Sequence, residues 1–98
     1  MGKESGLQTT CTDYLKRKGI YAINMYGSGR TAKGAPDVIA CICGKFVAFE
    51  LKVGNNKQQP DQMIHEKRIK QSMGLHYVVY DFETFKNIVS EISGGYYD

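Results

Sequence analysis

An α/β fold of order α-β-β-β-α-β-α is predicted for this 98-residue chain, on three observations. Two apolar, β-branched runs, Asp37 to Cys43 and Phe46 to Val53, are joined by the short link Gly44-Lys45. Ahead of them, Leu7, Cys11, Tyr14 and Leu15 recur at helical spacing. Behind them, a segment opens with Pro60, stops at Gly74 and is followed by another short apolar run. Strands apolar on both faces point to a sheet covered by helices.

The elements follow in order. Lys3 to Lys18 reads as an amphipathic helix ended by Gly19. Glu4 and Gln8 fall on the same side as Leu7 and Cys11, so the core-facing stripe begins with a carboxylate and an amide. A carboxylate at that position is equally well explained by the positive end of the helix dipole. Ile20 to Tyr26 reads as a first strand. Gly27-Ser28-Gly29-Arg30-Thr31-Ala32-Lys33-Gly34 is a glycine-rich basic loop, whose glycines would let a phosphate approach the backbone while Arg30 and Lys33 supply charge. It lacks P-loop spacing, and a solvated loop is the plain alternative. After the two-strand ribbon, Gly54-Asn55-Asn56-Lys57 is a turn. Pro60 to about Met73 is a helix with Met63, Ile64, Ile69 and Met73 as its apolar contacts. His76 to Asp81 is the last strand, Phe82 to Ile92 a short helix, and Gly94 to Asp98 a tail.

The ribbon carries the chemistry. Gly44-Lys45 suits a two-residue type II′ turn, which sets Cys43 against Phe46, Ile39 against Glu50 and Asp37 against Lys52. With side chains alternating at period two, Asp37, Glu50 and Lys52 share one face, the two carboxylates roughly 7–8 Å apart at the backbone. Such a pair can close on one hard cation. Mg²⁺ takes oxygen ligands and is commonly held by one or two carboxylates plus substrate phosphate, and the Leu51 carbonyl is a further candidate ligand. Lys52 would meet the charge that builds on a phosphodiester during hydrolysis. An ordinary Glu-x-Lys triplet is a solvated ion pair. Here the face also holds Phe46 and Ala48, and buried charges are costly unless paired or metal-bound.

Composition bounds the rest. The hydrophobic fraction of 42% and charged fraction of 23% are those of an ordinary globular protein, and the chain length suits one domain, 1–98. The net charge of +3 is a mild lean toward polyanions. No apolar run reaches membrane-span length and no signal-peptide stretch opens the chain, so a cytoplasmic location is expected. Cys11, Cys41 and Cys43 lack metal-ligand spacing, and reduced thiols are expected.

With these residues in place, the chain resembles the PD-(D/E)XK nuclease superfamily, and within it a stand-alone VRR-NUC domain, the virus-type replication-repair nuclease. The resemblance spans nearly the whole chain. It rests on the N-terminal helix with Glu4, on Gly34-Ala35-Pro36-Asp37, on Glu50-Leu51-Lys52, and on Gln62 in the helix before Gly74. It implies a restriction-endonuclease-like core, a mixed sheet flanked by helices, and Mg²⁺- or Mn²⁺-dependent DNA cleavage. Asp37 and Glu50 would then be metal ligands with the Leu51 carbonyl, Lys52 the catalytic lysine, and Glu4 and Gln62 supporting active-site residues, Glu4 also as a metal ligand. Gln58 and Gln59 compete with Gln62 for its role. Ser28, Arg30, Lys33 and Lys57 are the candidate DNA contacts. Small relatives of this kind imply a phage-encoded homodimer that cuts branched DNA, with Holliday-junction resolution as the sharpest form. Tyr96, Tyr97 and the apolar side of the last helix are the candidate dimer surface. The alternatives are a general or partner-targeted nuclease of the same fold, or a non-catalytic nucleic-acid-binding module.

Overall fold

The computed structural model describes residues 3–25 and 32–98, with side chains of the first helix described from Gly6 onward. Elements run α1 (Lys3–Arg17), β1 (Tyr21–Asn24), β2 (Val38–Ile42), β3 (Lys45–Leu51), α2 (Pro60–Gln71), β4 (Leu75–Val79) and α3 (Phe82–Ser93), the predicted order. The strands form one mixed sheet, β1-β2-β3-β4, antiparallel except for the parallel pair β3–β4. A hairpin can only return antiparallel, whereas a parallel neighbour needs a crossover, which α2 supplies.

One face of the sheet is dry. Val38, Ala40 and Ile42 alternate on β2 and Val47, Phe49 and Leu51 on β3, all buried against Cys11 and Leu15 of α1 and Phe85 and Val89 of α3. Tyr14 meets Phe82 and Phe85 edge-on. Burial pushes the Cys11 thiol up to about 12, so it packs as a small apolar group.

The other face is covered only in part. α2 lies over it but buries none of its own residues, and Met63, Ile64 and Met73, expected as apolar contacts, stand exposed. Of that set, Ile69 packs inward: a Cβ on Gly74 would lie 2.9 Å from Ile69 Cγ2 and 3.0 Å from Phe46 Cδ1. Tyr21, Ile23 and Phe46 remain exposed on this face.

The hairpin turn lies one residue earlier than predicted, which shifts the strand register by two residues. The turn is Cys43-Gly44, both at positive φ (50° and 81°), which is the type I′ pattern. Ile39 therefore faces Ala48 rather than Glu50, and Cys41 faces Phe46. The turn still has two residues, so inside–outside parity is unchanged and the site residues keep their shared face. The apolar pattern fits both registers equally well; the primed turn, with glycine second, matches the strand twist.

The end of α2 also departs from expectation. Ser72 is the C-cap and Met73, not Gly74, takes the left-handed position at φ 70°. The bonds Met73 N–H to Lys70 O (3.0 Å) and Gly74 N–H to Ile69 O (2.9 Å) complete a Schellman closure. Glycine is needed at 74 for close packing, not for its φ.

The apolar side of α3 is occupied: Phe85 and Val89 are buried in the core, and Tyr97 packs at its margin. Of the proposed dimer surface, Tyr96 alone stays well exposed. No helix among the described residues is long and apolar enough to cross a membrane.

Candidate active site

The site forms where β3 runs out beside β4, on the half-covered face. Asp37 sits just before β2. Its N–H donates to Phe49 O at 2.9 Å, and its Oδ2 accepts from Leu51 N–H at 2.8 Å. These two bonds straddle Glu50 and set the carboxylate beside it. Gln8 of α1, buried, donates to the Asp37 carbonyl at 3.1 Å and to the Asn24 side chain, tying α1 and β1 to the same corner. Ser28 and Arg30 lie outside the described residues, as does the side chain of Glu4.

Glu50 is fully buried. Its Oε1 takes hydrogen bonds from His76 Nε2 at 3.0 Å and from Gln58 Nε2 at 3.3 Å. Its Oε2 is buried with no hydrogen-bond partner among the described residues. Lys52 is also buried; its Nζ donates to Gln62 Oε1 at 2.9 Å and its backbone N–H to Val79 O at 2.8 Å. The three neighbouring glutamines thus separate. Gln62 reaches Lys52 and also accepts from Gln59 N–H (2.7 Å), Gln58 bridges Glu50 and Glu66, and Gln59 caps the helix.

A divalent cation fits this donor set. An unpartnered buried carboxylate oxygen is a costly group that a hard cation would satisfy. Asp37, Glu50 and the Leu51 carbonyl are oxygen donors of the kind Mg²⁺ or Mn²⁺ accepts alongside waters and phosphate. Among the described residues no group of three or more His, Cys, Asp or Glu side chains is placed to hold a metal ion, so a cation here would rest on two carboxylates, the Leu51 carbonyl, waters and phosphate.

The described end of the basic loop, Lys33 and Gly34, docks on α2. Gly34 has φ +83°, and a Cβ there would lie 2.5 Å from Asp61 Cβ and 2.6 Å from Asp61 C. Its glycine is needed for contact with the first turn of α2, not for a phosphate. Lys33 carries an exposed ion pair to Asp61 at 3.4 Å, and its carbonyl meets His65 Nε2 at 3.1 Å. Such an exposed pair contributes little, so the Lys33 ammonium is available to a phosphate. Lys57 is exposed in the turn that links β3 to α2, near the end where Glu50 and Lys52 lie.

His76 and Glu66 were not among the expected site residues, and Gln58 was expected only as an alternative to Gln62. His76 comes into reach because the parallel register sets Ala48 beside His76 and Glu50 beside Val78. The alternation of β4 places His76 on a face, but its partner strand is unknown before the chain folds. Gln58 was legible as one of three crowded glutamines, and Gln8 as an amide on the core stripe of α1.

The fold has solved counterparts. A structure described as a VRR_NUC domain matches with TM-score 0.74 and 23% identity, over 92% of this chain and 97% of that one. The chain has the VRR_NUC fold. A Holliday junction resolvase, Hjc, from Archaeoglobus fulgidus matches with TM-score 0.54 and 21% identity, over 74% of this chain and 63% of the resolvase. No protein-family model and no curated protein matches the chain.

Proposed function

We propose that this VRR_NUC-fold chain is a metal-dependent DNA endonuclease that hydrolyses phosphodiester bonds in branched DNA, four-way junctions above all, as a homodimer. The observation that carries the reading is the buried Glu50 with one oxygen unpartnered among the described residues, on the same sheet face as the Asp37 carboxylate, which the Leu51 N–H binds, and the buried Lys52. A buried carboxylate left half-satisfied costs stability, a cost expected at a working site. Asp37, Glu50 and the Leu51 carbonyl would hold Mg²⁺ or Mn²⁺. When bound, such an ion supplies Lewis acidity toward the phosphoryl oxygens and a water of lowered pKa.

The protein's own groups do the rest. The Leu51 N–H fixes the direction of the Asp37 carboxylate. Gln62 holds the Lys52 ammonium in place, so Lys52 meets the developing negative charge without first reorganising. Lys33 and Lys57, with Ser28 and Arg30, would track the phosphate backbone; Glu4 would support the metal side of the site. A four-way junction has two-fold character and one chain carries one site, so a symmetric pair suits paired cuts. The exposed Tyr21, Ile23 and Phe46 offer that pair an apolar surface. The protein would act in the cytoplasm of a phage-infected cell.

The test is cleavage of labelled four-way junction, fork and linear duplex in Mg²⁺ or Mn²⁺, beside Asp37→Ala and Lys52→Ala. Symmetric junction cuts that both variants lose by about 10²-fold or more support the proposal. Equal cutting of all three DNAs removes the junction preference and leaves a general nuclease. Folded protein that binds DNA and cuts none of them in either metal overturns the reading in favour of a binding module.

A further inference from the structure

We propose that His76 is a positioning residue for Glu50: its ring occupies Oε1, so that Glu50 presents Oε2 alone to the cation. This deepens the reading of the site as a metal-dependent one and rests on it.

The geometry begins with the sheet. β3 and β4 run parallel, with Ala48 beside His76 and Glu50 beside Val78. His76 and Glu50 are therefore diagonal neighbours on one face, and the small Ala48 leaves room for the imidazole to lean along the strand toward the carboxylate. Both side chains are fully buried, with Nε2 and Oε1 3.0 Å apart. A carboxylate oxygen only accepts, so Nε2 carries the hydrogen of this bond. Gln58 adds a longer bond to the same Oε1 at 3.3 Å. Both donors therefore fall on one oxygen, while Oε2 has none among the described residues. The asymmetry distinguishes the two oxygens of a group that is otherwise symmetric.

A carboxylate also stands behind the ring: Glu66 Oε2 lies 3.6 Å from His76 Nδ1, too far for a hydrogen bond, so Nδ1 has no hydrogen-bond partner among the described residues. Glu66 is in turn fixed by Lys70 at 2.6 Å and by Gln58 at 2.9 Å. Lys70 and Glu66 belong to α2, His76 to β4 and Glu50 to β3. A chain of contacts thus reaches from the helix surface to the metal edge, and Gln58 clamps it at two points. Partners behind a metal ligand set its orientation, and losing one commonly costs about 10–100-fold in metal affinity. An apolar residue at 76 would leave Glu50 only the long Gln58 bond, free to turn either oxygen outward.

The decisive experiment measures Mn²⁺ binding to DNA-free protein by calorimetry, for the parent, His76→Met and His76→Gln. Methionine fills the space without a donor, whereas glutamine keeps an N–H. The expected result is a loss of about 10–100-fold in His76→Met, most of it recovered in His76→Gln, with melting temperatures in EDTA showing both folded. Equal affinity in folded His76→Met overturns the positioning role while leaving the nuclease reading intact. A parent that binds no Mn²⁺ overturns both. Should His76→Met not fold, the imidazole Nε2–H signal of the parent, followed by NMR on adding Mg²⁺, decides instead. Persistence of that proton supports the hydrogen bond to Oε1, and its disappearance through Nε2 ligation of the metal overturns it.

Discussion

The two faces of the sheet use the same strands for opposite purposes. On the dry face, Phe49 and Leu51 of β3 are buried among α1 and α3, where each large apolar side chain contributes about 1.5–3 kcal/mol by leaving water. On the other face, the intervening residues Glu50 and Lys52 are just as hidden, yet the helix above them buries nothing of its own. One face holds the fold together; the other holds charges in place at some expense of stability. Because side chains alternate with period two, a single strand serves both.

The largest difference between the faces should appear when one phenylalanine is truncated on each side of β3. Phe49→Ala should destabilise by about 3–5 kcal/mol, as measured by urea unfolding. Phe46→Ala, at a residue 47% exposed, should cost under about 1 kcal/mol. Equal losses would abolish the distinction, and a Phe46→Ala effect that grows with protein concentration would show the open face covered by a second copy.

A smaller effect of opposite sign sharpens the same point. Glu50→Gln in metal-free protein should raise stability by about 1–2 kcal/mol, because it removes a half-satisfied buried charge. Calorimetric unfolding in EDTA measures it, and a clear loss would mean that the carboxylate is already well compensated.

Smaller again is the end of α2. Met73 is 91% exposed and sits at positive φ, so Met73→Gly loses little packing and relieves the left-handed strain. A gain of about 0.5–1 kcal/mol is expected, read as a raised denaturation midpoint with unchanged slope. No gain would show the closure to be strain-free with methionine.

The smallest concerns pH. The Thr84 backbone N–H, helped by its hydroxyl, holds the Asp81 carboxyl below its ordinary value of 3.8. A lowered folded pKa adds stability that is complete above the unfolded value and lost as pH falls through the folded one. Asp81→Asn should therefore lose less stability than the parent on acidification below 3.8, followed by circular dichroism. Parallel acid profiles would remove the cap from the account.

Much of this architecture was legible in the order of residues. Element types follow from local periodicity: α1 from Cys11 and Leu15 at helical spacing, β3 from its β-branched run, α2 from Pro60 at its first turn. The common face of Asp37, Glu50 and Lys52 was legible too, because parity survives a one-step change of a two-residue turn. The turn itself was not, since Cys43-Gly44 and Gly44-Lys45 satisfy the same apolar pattern and differ only in backbone twist. Nor was the poor burial of α2, whose Met63, Ile64 and Met73 read as its apolar contacts and stand exposed in the fold.

What the sequence by itself determined is therefore what depends on near neighbours: the elements, their order, and the grouping of a carboxylate pair with a lysine across one hairpin. Only the tertiary structure decided which groups from distant segments complete the site. The approach of His76 to Glu50, of Gln58 to both Glu50 and Glu66, and of Gln8 to Asp37 depends on a parallel strand register and on helix docking. Those are set by the packing of the whole sheet, and no local spacing encodes them.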